Sequence, residues 1–221
     1  MPKKEYIRNT LKKLYQMKSN KELTDKAREA LSGRWGIAIG GFLIYNIILG
    51  ISQNIPFTGG ILGLIIGGPM TIGAAYFSLN LARKQEANIE ALFDGFKLFG
   101  KALGTYLLMM LYIFGWTLLL IIPGIIKGIS YSQTFYLLAE DNTIGSEQAI
   151  LKSMDMMDGN KMKYFMLILS FIPWALLCIL TLGIGFLWLV PYTQVSMANF
   201  YLDLKGEEES ESDMLINELQ N

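Results

Sequence analysis

The sequence predicts an all-α polytopic membrane protein, with about six transmembrane helices in three helical hairpins and amphipathic interfacial helices beside them. Three observations predict it. Six apolar stretches follow one another along the chain. Charged residues make up 17% of the 221 residues and are segregated into the tails and two loops, whereas a soluble domain carries about 25%, spread over its surface. Of 19 Lys and Arg, Lys127 alone falls on the side of the tight turns. Positive charge flanking spans marks the cytoplasmic face, so both termini are expected in the cytoplasm and the chain in the cell membrane.

Residues 1–34 form the first region, expected to hold basic cytoplasmic amphipathic helices. Ile7, Leu11, Leu14 and Tyr15 recur at helical spacing, with Lys3, Lys4, Arg8, Lys12, Lys13 and Lys18 filling much of the remaining surface. This pattern suits a helix lying on an anionic leaflet, so the expected partners are membrane lipids of the inner leaflet. Ser19 and Glu22 have capping-box spacing and predict a second helix ending at Gly33. No apolar core follows closely on a short basic start, so a cleavable signal is not expected.

The membrane domain is expected over residues 35–202, with hairpins at about 35–81, 102–139 and 162–201. A span needs about 20 apolar residues. The stretches from Gly59, Ala102 and Met162 meet that length. Those from Trp35 and Ile184 are near the limit. The fourth, Gly124–Ala139, is short and polar, and reads either as a tilted span or as a re-entrant piece. Between hairpins, Ile89, Leu92, Phe93, Phe96 and Phe99 share one helical face, as do Ile150, Met154 and Met157, with Asn88 and Ser146 as candidate N-caps. Residues 203–221 carry one Lys against seven acids and are expected to remain solvated and disordered.

A repeat underlies these elements. Tyr131-Ser132-Gln133 recurs as Tyr192-Thr193-Gln194, a shift of 61 residues. Under that shift Ile89, Phe93 and Phe96 become Ile150, Met154 and Met157. Pro69-Met70-Thr71, Ser130-Tyr131-Ser132 and Pro191-Tyr192-Thr193 also correspond. The unit is an interfacial helix followed by a hairpin, used three times in the same direction across the membrane.

Chemistry is sparse. The chain has no His and one Cys, Cys178, so Ser–His and Cys–His nucleophile arrangements are impossible and a cysteine zinc site has too few ligands. No phosphate-binding loop or dinucleotide fingerprint is present. No Asp, Glu or His lies inside the apolar cores, which disfavours ion-coupled transport. Neither cofactor, metal, nucleic-acid partner nor enzymatic activity is expected. Asp155 with Asp158, and Glu140 with Asp141, read as solvated helix ends. The glycine face Gly59, Gly63, Gly67, Gly68 and Gly73 reads as close helix packing, with a flexible cavity-lining helix as the alternative. Polar residues gather in the fourth and sixth stretches: Lys127, Ser130, Gln133, Thr134, Tyr192, Gln194 and Asn199. They are candidates for an intramembrane polar crevice, or for hydrogen bonds between helices. Lys127 lies near enough to the outer interface to snorkel.

The run Ile122-Pro123-Gly124-Ile125-Ile126-Lys127, with Ser130-Tyr131-Ser132 and Leu138-Ala139-Glu140-Asp141, resembles the bacterial integral membrane family catalogued as domain of unknown function 975. Ala149-Ile150, Ser153-Met154, Met157, Gly183-Ile184-Gly185, Pro191-Tyr192 and Ala198-Asn199-Phe200-Tyr201 fit the same pattern. The resemblance covers about Leu23 to Lys205. It implies a multi-pass protein of the plasma membrane and implies no activity. The same family is similar to the membrane portion of some glycerophosphodiester phosphodiesterases, whose catalytic domain this chain lacks. The functional expectation is a non-enzymatic membrane module that binds lipid or protein. The alternative is a small permease or channel lined by the fourth and sixth stretches.

Overall fold

The computed structural model describes residues 17–55 and 59–206. The basic helix expected around Ile7–Tyr15 and the acidic segment from Glu207 lie outside them. Among the described residues the regular structure is all helical. The elements are α1 (Asn20–Leu31), α2 (Trp35–Asn54), α3 (Gly59–Ala82), a 3-10 helix (Ile89–Leu98), α4 (Phe99–Leu119), α5 (Ile121–Ser130), α6 (Thr134–Glu140), α7 (Ser146–Met157), α8 (Lys161–Ser170), α9 (Ile172–Leu180) and α10 (Phe186–Lys205).

Among the described residues, four helical stretches are long and apolar enough to cross a membrane: Trp35–Ser52, Gly60–Ala82, Ile89–Leu118 and Lys161–Leu180. The fourth and sixth apolar stretches differ. The fourth is split into α5 and α6, of 10 and 7 residues. The sixth is the continuous α10, which runs through Pro191 but carries more polar residues. The outward surface of the long helices is apolar, with Leu111, Leu118 and Leu180 largely exposed. Apolar surface on that scale is costly in water and costs nothing in hydrocarbon.

Local chemistry sets several boundaries. At α1 the Ser19 hydroxyl accepts from the Glu22 amide (3.3 Å), and the Glu22 carboxylate accepts from the Ser19 amide (2.6 Å). Gly33 follows α1 at φ +74°, in the left-handed region that reverses the chain toward α2. At α7 the N-cap is Gly145 and not Ser146. Gln148 reaches back to accept from the Gly145 amide (3.3 Å), which leaves Ser146 as the first helical residue.

Three units repeat in the element order. Each has a short helix (α1, the 3-10 helix, α7), an outgoing helix (α2, α4, α8–α9) and a return arm (α3, α5–α6, α10). Each short helix packs on the return arm of another unit: the 3-10 helix on α3, α7 on α5 and α6, and α1 on α10. The third of these contacts closes the chain into a ring. The three return arms meet in one core, where Ile72, Ala75 and Leu79 of α3 lie with Leu137 and Leu138 of α6 and Ala198 and Leu202 of α10. Equivalent glycines carry equivalent contacts. A methyl group on Gly124 would overlap the Thr117 side chain, and one on Gly185 would lie 2.6 Å from the Cys178 sulfur. Both pairs are related by the shift of 61 residues.

The break between α5 and α6 has a specific cause. Ser153 of α7, fully buried, inserts its hydroxyl into the helical ladder. It donates to the Ser130 carbonyl (2.8 Å) and accepts from the Gln133 amide (3.1 Å). A side chain inserted in this way replaces intrahelical bonds and turns the helix. Position 130 corresponds to Pro69 in the first unit and Pro191 in the third. Those prolines also remove a ladder donor, so all three return arms lose a ladder hydrogen bond at one repeat position, although only the second breaks there. Opposite Pro69 the 3-10 helix approaches at backbone distance. A methyl group on Gly95 would overlap the Pro69 carbonyl, and one on Gly73 would overlap the Leu92 carbonyl. Leu92 and Ser153 are themselves equivalent under the shift. Gly67, Gly68 and Gly73 of the glycine face of α3 thus form a packing surface, with Gly67 against Tyr106 and Gly68 against the Ala102 carbonyl.

Ring closure rests on Asp203 of α10. Its carboxylate accepts from the Lys18 amide (3.1 Å) and pairs with Lys163 Nζ (3.1 Å). Asn20 donates to the Lys163 carbonyl (3.1 Å) and fastens α1 to α8.

Replacing Ser153 by Ala leaves two buried backbone groups unpaired, at about 1–3 kcal/mol. A lower thermal unfolding midpoint of the detergent-purified protein is expected for Ser153→Ala. An unchanged midpoint would remove Ser153 as the cause of the break. Gly73→Ala forces α3 away from the 3-10 helix, and a larger loss is expected by the same measurement.

Candidate functional site

The residues proposed for a polar crevice do not converge on one site. Ser130, Gln133 and Thr134 are buried at the α5–α6 break. The Ser130 hydroxyl donates to the Ile126 carbonyl (2.8 Å), and Gln133 Nε2 donates to the Ser132 hydroxyl (2.8 Å). Gln133 Oε1 and Thr134 Oγ1 are buried without a hydrogen-bond partner. Asn199 is buried on α10 and donates to the Leu23 carbonyl of α1 (3.4 Å). Lys127 sits elsewhere, 5.1 Å above the Trp116 ring, a cation–π contact. Gln194 is half-buried on α10. Tyr192 meets Phe171 edge-on at 5.6 Å and lines a cavity described below.

Two cavities stand out among the described residues. The first is polar, about 340 Å³, and lined by Tyr76, Asn80, Arg83, Glu140 and Lys205 with Leu79 and Ala139. Its centre is Glu140, the last residue of α6. The Glu140 carboxylate accepts from the Arg83 guanidinium, from Tyr201 Oη (2.6 Å) and from Lys205 Nζ (2.7 Å). Tyr201 is fixed in turn by stacking on Tyr136 at 5.3 Å. The reading of Glu140 as a solvated helix end is therefore corrected: its side chain is 13% exposed and joins three return arms. Asp141 beside it folds back on Thr143, accepting from the amide (2.9 Å) and the hydroxyl (2.5 Å). A sequence signal for this cluster existed. Arg83 and Lys205 are equivalent under two shifts of 61 residues, and Glu140 and Tyr201 are equivalent under one. The repeat therefore directs two cations at one acid.

Burial alone would raise the Glu140 pKa. The hydrogen bonds from Lys205, Tyr201 and Arg83 outweigh burial and hold it below its ordinary value of 4.5.

The second cavity is an apolar groove of about 270 Å³, lined by Arg28, Trp35, Trp174, Cys178, Gly185, Trp188, Leu189 and Tyr192. It lies where the first and third units close the ring. Arg28 and Trp35 come from α1 and α2, Trp174 and Cys178 from α9, and Trp188, Leu189 and Tyr192 from α10. Phe171 separates α8 from α9, and Pro173 sits at the start of α9. Trp174 and Trp188 are each about half exposed. Gly185 keeps one wall thin, since a side chain there would strike Cys178. No local sequence pattern links Cys178, Trp174 and Trp188 to Arg28, so the groove has no signature in the sequence.

The model of a family described as "Protein of unknown function (DUF975)" matches residues 17–127 and 117–208. No curated protein and no solved structure matches the chain.

The lowered pKa of Glu140 gives a stability contribution with a defined pH window. The contribution is fully present above the unfolded carboxyl value, about 4.3. It is lost as pH falls through the lower folded value, because the unfolded state then binds the proton more readily. In a thermal-midpoint series from pH 6 down to pH 3, Glu140→Gln is expected to be less stable than wild type at pH 6. The gap should narrow toward pH 3. A constant gap would mean that Glu140 titrates alike in the folded and unfolded states.

Proposed function

We propose, from the premise that this chain belongs to the DUF975 family, that it is a non-enzymatic, lipid-binding module of the plasma membrane. The described residues are all helical in their regular structure and include four helices fit to cross a membrane. The finer arrangement is six crossings, with α5–α6 and α10 as the two shorter return spans and both termini cytoplasmic. The distribution of Lys and Arg supports it: ten cations precede α2, Arg83, Lys84, Lys97 and Lys101 lie between α3 and the start of α4, Lys152, Lys161 and Lys163 lie between α6 and the start of α8, and Lys205 ends α10. The basic segment before Lys18 adds attraction to an anionic leaflet, at about 1 kcal/mol per cation close to the surface.

The observation that carries the lipid-binding reading is the apolar groove walled by three tryptophans, with Arg28 as its charged lining residue. In lipid, an apolar cleft open along its side is filled by hydrocarbon. Trp and Arg at its rim favour an amphipathic occupant over bulk acyl chain. A permease lined by the fourth and sixth stretches is supported less well. Ser153 occupies the Ser130 carbonyl and the Gln133 amide, and α1 occupies the Asn199 amide.

Two experiments test this. In a Cys178→Ser background, Asp94→Cys and Asp155→Cys are expected to react with a membrane-impermeant maleimide only after lysis, while Leu182→Cys reacts on intact cells. External labelling of Asp94→Cys or Asp155→Cys would overturn the six-crossing arrangement. Native mass spectrometry of the detergent-purified protein is expected to retain phospholipid. A lipid-free chain under gentle conditions would overturn the lipid-binding reading.

A further inference from the structure

The groove at the ring closure has one charged group, and the repeat indicates why it is informative. Arg28 of α1 corresponds to Ile89 of the 3-10 helix and to Ile150 of α7. Ile150 is buried. Packing a short helix into this ring therefore takes an apolar side chain at that position, and a guanidinium is not needed for the fold. Arg28 is exposed and has no ion pair among the described residues.

We propose that this groove holds one chain of an anionic phospholipid from the leaflet on the α1 side. The phosphate sits on Arg28 and the acyl chain runs past Trp35, Trp188 and Trp174. The inference rests on the lipid-binding reading above and names the lipid and its orientation. Guanidinium matches phosphate through paired N–H donors, which an ammonium does not reproduce. A molecule with one charged end and a long apolar body fits a trough with one cation and aromatic walls. The volume decides against a protein occupant. About 270 Å³ admits a slender chain, whereas an α-helix with side chains is about 10–12 Å across.

The chain carries its own probes, since three of its four tryptophans line the groove. The fourth, Trp116, lies under Lys127 and is removed by Trp116→Phe. The full-length protein is reconstituted in phosphatidylcholine vesicles. Phosphatidylglycerol or phosphatidylcholine with brominated chains is then added at rising mole fraction, and tryptophan fluorescence is recorded. Brominated phosphatidylglycerol is expected to quench with a saturating phase at low mole fraction, ahead of brominated phosphatidylcholine. Arg28→Gln is expected to weaken that preference roughly fivefold, while Arg28→Lys retains more of it than Gln does. Equal quenching curves for the two headgroups, unchanged by Arg28→Gln, would overturn the anionic assignment and leave a generic lipid groove. Tryptophans unquenched even in fully brominated vesicles would overturn the groove as a lipid site altogether.

Discussion

The fold depends on how a helix buried in an apolar surround recovers backbone hydrogen bonds that it has lost. Each return arm loses a ladder hydrogen bond at the same repeat position, twice to proline within a continuous helix and once to the Ser153 hydroxyl, which breaks the helix. An unpaired backbone group in hydrocarbon costs several kcal/mol, so an interruption survives only where protein covers it. The short helices supply that cover at two of the three positions. The 3-10 helix lies against Pro69 at backbone contact, and α7 sends Ser153 into the Ser130–Gln133 gap. These contacts join one unit to the next. Local interruption and inter-unit packing are thus one feature, and the ring follows from repeating it.

Where the units meet at the axis the repeat has diverged to make a polar lock. The three equivalent residues there are Leu79, Glu140 and Tyr201. The flanking set is Arg83, Ile144 and Lys205. One acid, one phenol and two cations replace what would be apolar contacts in a strictly repeated bundle. A half-buried carboxylate with three donors is costly to break, because removal of one partner leaves charge poorly solvated. Such a lock fixes the relative register of α3, α6 and α10, which smooth apolar faces by themselves specify weakly.

The apolar groove belongs to the same logic. It forms at the closure between first and third units, where α9 is set off from α8 at Phe171 and Gly185 thins the wall. Asp203 holds α1 and α8 together at the end of that seam. The groove is therefore bounded by fixed helices, and its tryptophans are placed by ring closure. This arrangement supports reading the protein as a lipid-handling scaffold.

Much of the architecture was legible in the chain itself. Apolar length determined the helices fit to cross a membrane, because hydrocarbon thickness acts on the length of an apolar run directly. The 61-residue correspondence determined the unit, and Ser19 with Glu22 determined where α1 begins. Only the tertiary structure decided which polar residues meet. Ser153 and Ser130 are ordinary serines until α7 docks on the gap, and Glu140 looks solvated until Arg83 and Lys205 arrive from residues distant in sequence. Trp174 and Arg28 share no local pattern. Their proximity depends on long-range packing, which local periodicity does not encode.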